Sequence, residues 1–222
     1  MNPTVRIDRP ATGPLVFRPL DAARDAALLH RWVNQPHARF WNQQGKSQGE
    51  IESIYRELLE RGQDLRLACR EDTGEPLLLL WLYDPRHDVL GQRYAVQPGD
   101  RGLHVFLAPV DRAVSGMAYQ LLSAALEVAF AEPWVQRIVA EPDLRNDKVI
   151  TRFLQVGFQR EGVVHLPNKN ALLLSFNRQR LRAGFVSPPP RRPALRAWGA
   201  QVRWHIEKGR VLRAWWRLLR SG

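Results

Sequence analysis

From residue 16 to residue 176 the spacing of apolar residues switches between a period of two and a period of three to four, and the order of those switches leaves few folds open. A strand at 16–20 is followed, from Asp21, by an amphipathic helix carrying Ala22, Leu28, Leu29, Trp32 and Val33. After a polar loop at 34–47, a second helix at 48–61 places Ile51, Ile54, Tyr55, Leu58 and Leu59 at helical spacing. Strands at 65–70 and 76–83 flank a Thr73-Gly74-Glu75 turn, and a loop rich in Gly, Pro and Asp leads to a third strand at 103–107. A glycine-containing turn at 114–118 then opens a long apolar helix through Phe130. A strand at 135–141, a helix at 146–156 and strands at 158–166 and 171–176 complete the order. Antiparallel neighbours in the middle with one strand–helix–strand crossover predict an α+β domain of about 175 residues, a mixed and mostly antiparallel sheet flanked by helices.

Charge divides the chain differently. The 222 residues hold 33 Lys+Arg against 22 Asp+Glu, a net charge of +11. Residues 178–222 hold twelve of the basic residues and one acid, Glu207, so the whole excess lies in a tail and residues 1–177 are neutral. A uniformly basic chain would point to nucleic acid; a neutral body with a basic tail does not, and nucleic acid ranks last among the expected partners. The expected divisions are a catalytic domain at 1–180, a stiff Pro/Arg linker at 181–193 and a basic, Trp- and Arg-rich tail at 194–222. The tail reads as two amphipathic helical segments that bend near Gly209 and meet protein, a second copy of the chain or an anionic membrane surface. No apolar run follows the N-terminal Arg6 and Arg9, and the densest one, PLLLLWLY at 76–83, falls far short of the roughly 20 residues of a membrane span. A cytoplasmic protein, peripheral at most to the inner membrane face, is the expectation. Cys69 is the sole cysteine and reads as core.

Three features could carry chemistry. The run Ala113-Val-Ser-Gly-Met-Ala118 lies between a strand and a helix N-terminus, where backbone N–H groups and the helix dipole favour an anion, although simple close packing also explains small residues there. His104, on the 103–107 strand, shares a face with Phe106, and Asp143 follows the 135–141 strand; a structural histidine and a turn-forming aspartate are the plainer readings. If those strands are neighbours, both side chains reach one cleft, where an imidazole and a carboxylate suit proton removal from a nitrogen nucleophile. The six histidines form no cluster with metal-ligand spacing, so no metal is expected.

Four stretches together carry a resemblance: Phe40-Trp41-Asn42, Pro98-Gly-Asp-Arg-Gly-Leu-His104, Arg137-Ile-Val-Ala-Glu-Pro-Asp-Leu-Arg-Asn146 and Leu166-Pro-Asn-Lys-Asn-Ala-Leu-Leu-Leu174. The chain resembles the Gcn5-related N-acetyltransferase (GNAT) superfamily, and within it the siderophore-biosynthesis acyltransferases that act on N-hydroxylated amines, the hydroxylysine acetyltransferase and mycobactin lysine acyltransferase group. The resemblance implies the GNAT fold, acetyl-CoA or succinyl-CoA as cosubstrate, and direct transfer to a hydroxylysine, hydroxyputrescine or hydroxycadaverine type of acceptor. It makes His104 and Asp143 the active-site pair and places Asn146 near the pantetheine or the thioester carbonyl. Phe40, Trp41 and Asn42 would line the acceptor tunnel, and Phe106, Leu107, Ser115, Gly116, Met117 and Ala118 would contact the cofactor. Where the superfamily's phosphate loop begins with Gln or Arg this chain has Ala113, one place after Arg112, so Arg112 is a cofactor candidate without a matching position. The competing readings are an aminoglycoside 6'-N-acetyltransferase, disfavoured by the basic balance of residues 91–112, and an adaptor built around the tail.

Overall fold

The computed structural model describes residues 4–109 and 114–182. Eight strands form one sheet in the order β1-β2-β3-β4-β5-β6-β8-β7. They are β1 (Val5–Ile7), β2 (Leu15–Pro19), β3 (Asp64–Arg70), β4 (Pro76–Tyr83), β5 (Asp100–Leu107), β6 (Arg137–Ala140), β7 (Gln159–Leu166) and β8 (Lys169–Asn177). The helices are α1 (Ala22–Val33), α2 (Gln48–Glu60), α3 (Met117–Ala129), α4 (Asp147–Gln155) and the short α5 (Arg178–Arg182). The expected α+β order holds, with one strand added: β1 has only three residues, too few for a period to register. The polar loop before α2 contains a 3-10 turn at Pro36–Phe40, and the loop before β5 contains two more, at Pro85–His87 and Val89–Gln92. The linker and tail expected beyond residue 182, and Arg112 with Ala113, lie outside the described residues.

Local signals fix the helix starts. Asp21 caps α1 by accepting from the Arg24 N–H at 3.0 Å. Ser47 and Glu50 form a reciprocal capping box at the start of α2. Strand alternation then sends side chains to two cores. Leu15, Phe17, Ala68, Leu78 and Leu80 pack with α3 and α4, whereas Leu65, Leu67, Leu79 and Phe106 pack with Leu29, Trp32, Ile51 and Tyr55 of α1 and α2. Helices on both faces explain why β4 is a near-continuous apolar run: its Leu77 to Leu80 are all buried. Cys69 is buried in the α1/α2 core, and burial pushes its thiol up, against the opposing charge of Arg18. Among the described residues no helix is long and apolar enough to cross a membrane.

One pairing sets up the site. β5 runs antiparallel to β4 over six positions but parallel to β6 over only three, Asp100↔Arg137, Arg101↔Ile138 and Gly102↔Val139. Past Gly102 the two strands part while β6 continues along β8. The fork is clamped at its base by a buried ion pair, with Arg137 Nε and Nη2 donating to the two Asp100 oxygens at 2.7 Å each. The Tyr94 hydroxyl and the Gln97 N–H complete the Asp100 carboxylate at 3.0 and 2.9 Å.

Candidate active site

The register of the antiparallel ladder decides what faces the fork. Ala108 N–H donates to the Leu77 carbonyl, so the even-numbered residues of β5 bond to β4. The backbone groups of Val105 and Leu107 therefore turn toward the opening, where β6 has already departed. A cavity of about 190 Å³ occupies the opening. Its walls come from the 3-10 turn (His37, Phe40, Trp41), from β5 (Leu103 to Leu107), from the end of β6 and the loop behind it (Ala140 to Asp143, Asn146), and from α4 and Lys169.

His104 lines this cavity, held against aromatic rings. Tyr83 stacks on it at 4.9 Å between centroids and 15° between planes, and Trp81 tilts against it at 4.6 Å. Trp41 reaches it edge-on at 6.2 Å, which accounts for a bulky aromatic in a polar loop. The carboxylate beside the imidazole is Glu141, whose Oε1 lies 3.6 Å from His104 Nε2. Glu141 also accepts a hydrogen bond from the Tyr83 hydroxyl at 3.0 Å and from Lys169 Nζ at 3.4 Å. Burial holds the imidazole below its ordinary value, against the pull of Glu141. Burial alone would raise the Glu141 carboxyl, but His104, Lys169 and the Tyr83 hydroxyl outweigh it and hold the group below the usual range. Burial, with the neighbouring Glu141 charge, keeps the Tyr83 phenol well above its ordinary value, so it stays protonated and donates. Near neutrality the arrangement is a neutral imidazole next to an anchored carboxylate.

Asp143 lines the same cavity but is not paired with the imidazole. Arg145 grips it through Nε at 2.9 Å and Nη2 at 2.7 Å, and the Arg145 backbone N–H adds a third bond at 2.8 Å. These bonds hold the Asp143 carboxyl below its usual range, with the Arg145 side chain as the main cause. The carboxylate beside the imidazole is thus that of Glu141, and no hydrogen bond or ion pair joins Asp143 to His104 among the described residues.

The other predicted residues separate into groups. Phe40, Trp41, Phe106, Leu107 and Asn146 all line the cavity. Asn146 also caps α4, its Oδ1 accepting from the Val149 N–H at 3.4 Å, which leaves its amide nitrogen for the cavity. Asn42 does not join them. It is exposed with a left-handed φ of 57°, a turn that buries the next side chain, Gln43, as acceptor for the Tyr55 hydroxyl. Ser115 to Ala118 lie outside the cavity wall, at the start of α3. Gly116 takes the left-handed N-cap position with φ 80° and offers no side-chain cap, so the first turn of α3 keeps N–H groups for an external acceptor. The Met117 side chain is buried in the core and its own N–H donates to the Val114 carbonyl.

Four site residues were not singled out from sequence: Trp81, Tyr83, Glu141 and Lys169. Gly102 was the usable signal. Tyr83 pairs with it across the ladder, and a methyl group at Gly102 would sit 2.2 Å from the Tyr83 ring. The glycine of the PGDRGLH run thus lets the tyrosine lie flat on His104 with its hydroxyl on Glu141. Gly102→Ala is expected to displace the ring, lowering stability by about 1–3 kcal/mol through overpacking, and kcat roughly tenfold as the Tyr83–Glu141 hydrogen bond is lost. Thermal unfolding and steady-state kinetics measure both, and a variant with both parameters unchanged contradicts this role.

Comparison with known proteins agrees with this architecture. The family model described as an acetyltransferase (GNAT) domain matches residues 21–166. An N(6)-hydroxylysine O-acetyltransferase from Escherichia coli is 27% identical over 166 residues, 74% of this chain and 52% of that protein, so the match spans about half the relative's length. An aminoglycoside N(6')-acetyltransferase type 1 from Klebsiella pneumoniae is 24% identical over 163 residues, 70% of this chain and 79% of its own. Among solved structures, an uncharacterized protein from Bacillus halodurans superposes with a TM-score of 0.75 at 26% identity, covering 82% of this chain and 94% of that one. By the family match over residues 21–166 and by the forked sheet that encloses His104, the chain belongs to the GNAT acetyltransferase domain family.

Proposed function

We propose that the protein is an acyl-CoA-dependent N-acyltransferase that acts directly on an N-hydroxylated aliphatic amine, as in hydroxamate siderophore assembly. The observation that carries this reading is the imidazole of His104 on the wall of the cavity at the fork of the sheet, 3.6 Å from the Glu141 carboxylate. A bound acyl-CoA supplies an acetyl or succinyl group as a thioester, which the acceptor nitrogen attacks with departure of the CoA thiol. Three features suit such a cosubstrate. The Val105 and Leu107 backbone groups face the fork and fit a chain of amides; the first turn of α3 fits a diphosphate; and Lys148 and Arg152, on the cavity wall, form no ion pair among the described residues and fit further phosphate oxygens.

His104 takes the proton that the nitrogen sheds and passes it to the departing CoA sulfur, and Glu141 stabilises the imidazolium in between. The Val105 N–H, turned away from β4 toward the fork, suits the negative charge that develops on the carbonyl oxygen. A hydroxylamine is largely unprotonated near neutrality, so a base of depressed basicity is sufficient for it, whereas an ordinary alkylamine needs a prior deprotonation. The name of the Escherichia coli relative supports the same acceptor class. Cys69 is buried beneath α1, which disfavours a covalent acyl-enzyme.

The test follows thiol release from acetyl-CoA and succinyl-CoA with N-hydroxyputrescine, N-hydroxycadaverine, N6-hydroxylysine and kanamycin as acceptors. Turnover of one or more hydroxylamines is expected. Turnover of kanamycin with none of the hydroxylamines would replace this reading with the aminoglycoside one.

A further inference from the structure

The charges at the acceptor side of the cavity are settled pairwise. Glu141 is held by Lys169, and Asp143 by the two-pronged grip of Arg145. Neither carboxylate is left to receive a cationic substrate. What remains is positive. Arg39, on the 3-10 turn, forms no ion pair among the described residues and lays its guanidinium over the Phe40 ring, 4.8 Å from the centroid. Arg145 lies over the same ring at 5.7 Å, and its Nη1 makes no hydrogen bond among the described residues. Phe40 itself lines the cavity. Two exposed guanidinium groups, one on the turn before α2 and one on the loop after β6, thus share one aromatic ring of the cavity wall. Both retain unused donors, and guanidinium donors match the oxygens of a carboxylate.

We infer that the acceptor carries a carboxylate in addition to its reactive nitrogen, and that Arg39 and Arg145 receive it beside the Phe40 ring. This rests on the acyl-transfer reading above and narrows it to amino-acid-type acceptors over diamines. The same arrangement disfavours polycations twice, by occupying both carboxylates and by placing positive charge beside the Phe40 ring. Asp143 then serves to orient Arg145.

Two acceptors that differ only in this group make the test: N6-hydroxylysine and N-hydroxycadaverine, its decarboxylated analogue. The wild-type protein should prefer N6-hydroxylysine by roughly tenfold or more in kcat/KM, the worth of one charge-assisted hydrogen bond pair. Arg39→Gln should raise the KM for N6-hydroxylysine by about tenfold with kcat little changed, so that the preference collapses toward one. Arg145→Gln removes a donor and frees Asp143, and should tilt the preference toward N-hydroxycadaverine. Equal use of both acceptors by the wild type, a preference for N-hydroxycadaverine, or a preference untouched by Arg39→Gln would overturn the inference while leaving the acyl-transfer reading standing. Failure of the wild type to acylate either hydroxylamine would overturn the reaction assignment, and the inference with it.

Discussion

His104→Gln should lower kcat/KM by about 10²- to 10⁴-fold, the range that a positioned proton acceptor contributes, while leaving the fold intact. Glutamine keeps a polar group between Trp81 and Tyr83 but cannot take a proton. The pH profile separates this role from a structural one. Because burial holds the imidazole below its ordinary 6.5, its base form prevails at neutrality. The wild-type kcat/KM should therefore rise with pH through an apparent value below 6.5 and be level by about pH 7. In His104→Gln the limb that belongs to the imidazole should disappear, leaving only the titration of the acceptor itself. Glu141→Gln should move that limb further toward acid, because the imidazolium loses the carboxylate 3.6 Å away. A His104→Gln enzyme with wild-type turnover would remove the base from the mechanism.

The second large effect concerns the clamp below the site. Arg137→Met should destabilise the protein by about 3–5 kcal/mol, because it strands the Asp100 carboxylate, buried to 1% exposure, with only Tyr94 and Gln97 as donors. For a chain of this size each kcal/mol corresponds to about 2–4 °C in Tm. Replacing both partners, Arg137→Met with Asp100→Leu, should recover much of the loss, since no buried charge is then left unpaired. Urea unfolding of the single and double variants measures this. A single variant within 1 kcal/mol of wild type would mean that the β5–β6 fork is held by something other than this pair.

Much of the fold was legible because its signals are local. The capping residues Asp21 and Ser47, the alternation in β3, the apolar run of β4 and the crossover through α3 are each read within a few residues of sequence. That His104 and Asp143 reach one cleft was conditional on their strands being neighbours; the parallel β5–β6 pair meets the condition, and both residues line one cavity. What could not be read was the pairing inside the cleft. Glu141 meets Tyr83 across 58 residues and Lys169 across 28, and no period links them. Glu141 stands at the end of an apolar strand with nothing local to mark it, whereas Asp143 was singled out by the resemblance. Asn42 and Met117, named through the resemblance, are placed by local geometry that no motif spells out: a left-handed turn carries one outward and helix packing carries the other into the core.

The central claim is that a neutral His104 in the forked sheet delivers an acyl group to a hydroxylamine nitrogen. Its most direct test is the product. Acetyl-CoA and N6-hydroxylysine are incubated with the protein, and CoA thiol is quantified beside the hydroxamate, read as its coloured ferric complex. The two should appear in equal amounts with the wild type, and both should fall by at least about a hundredfold with His104→Gln. Thiol release without hydroxamate, or hydroxamate formation undiminished in the variant, would contradict the account.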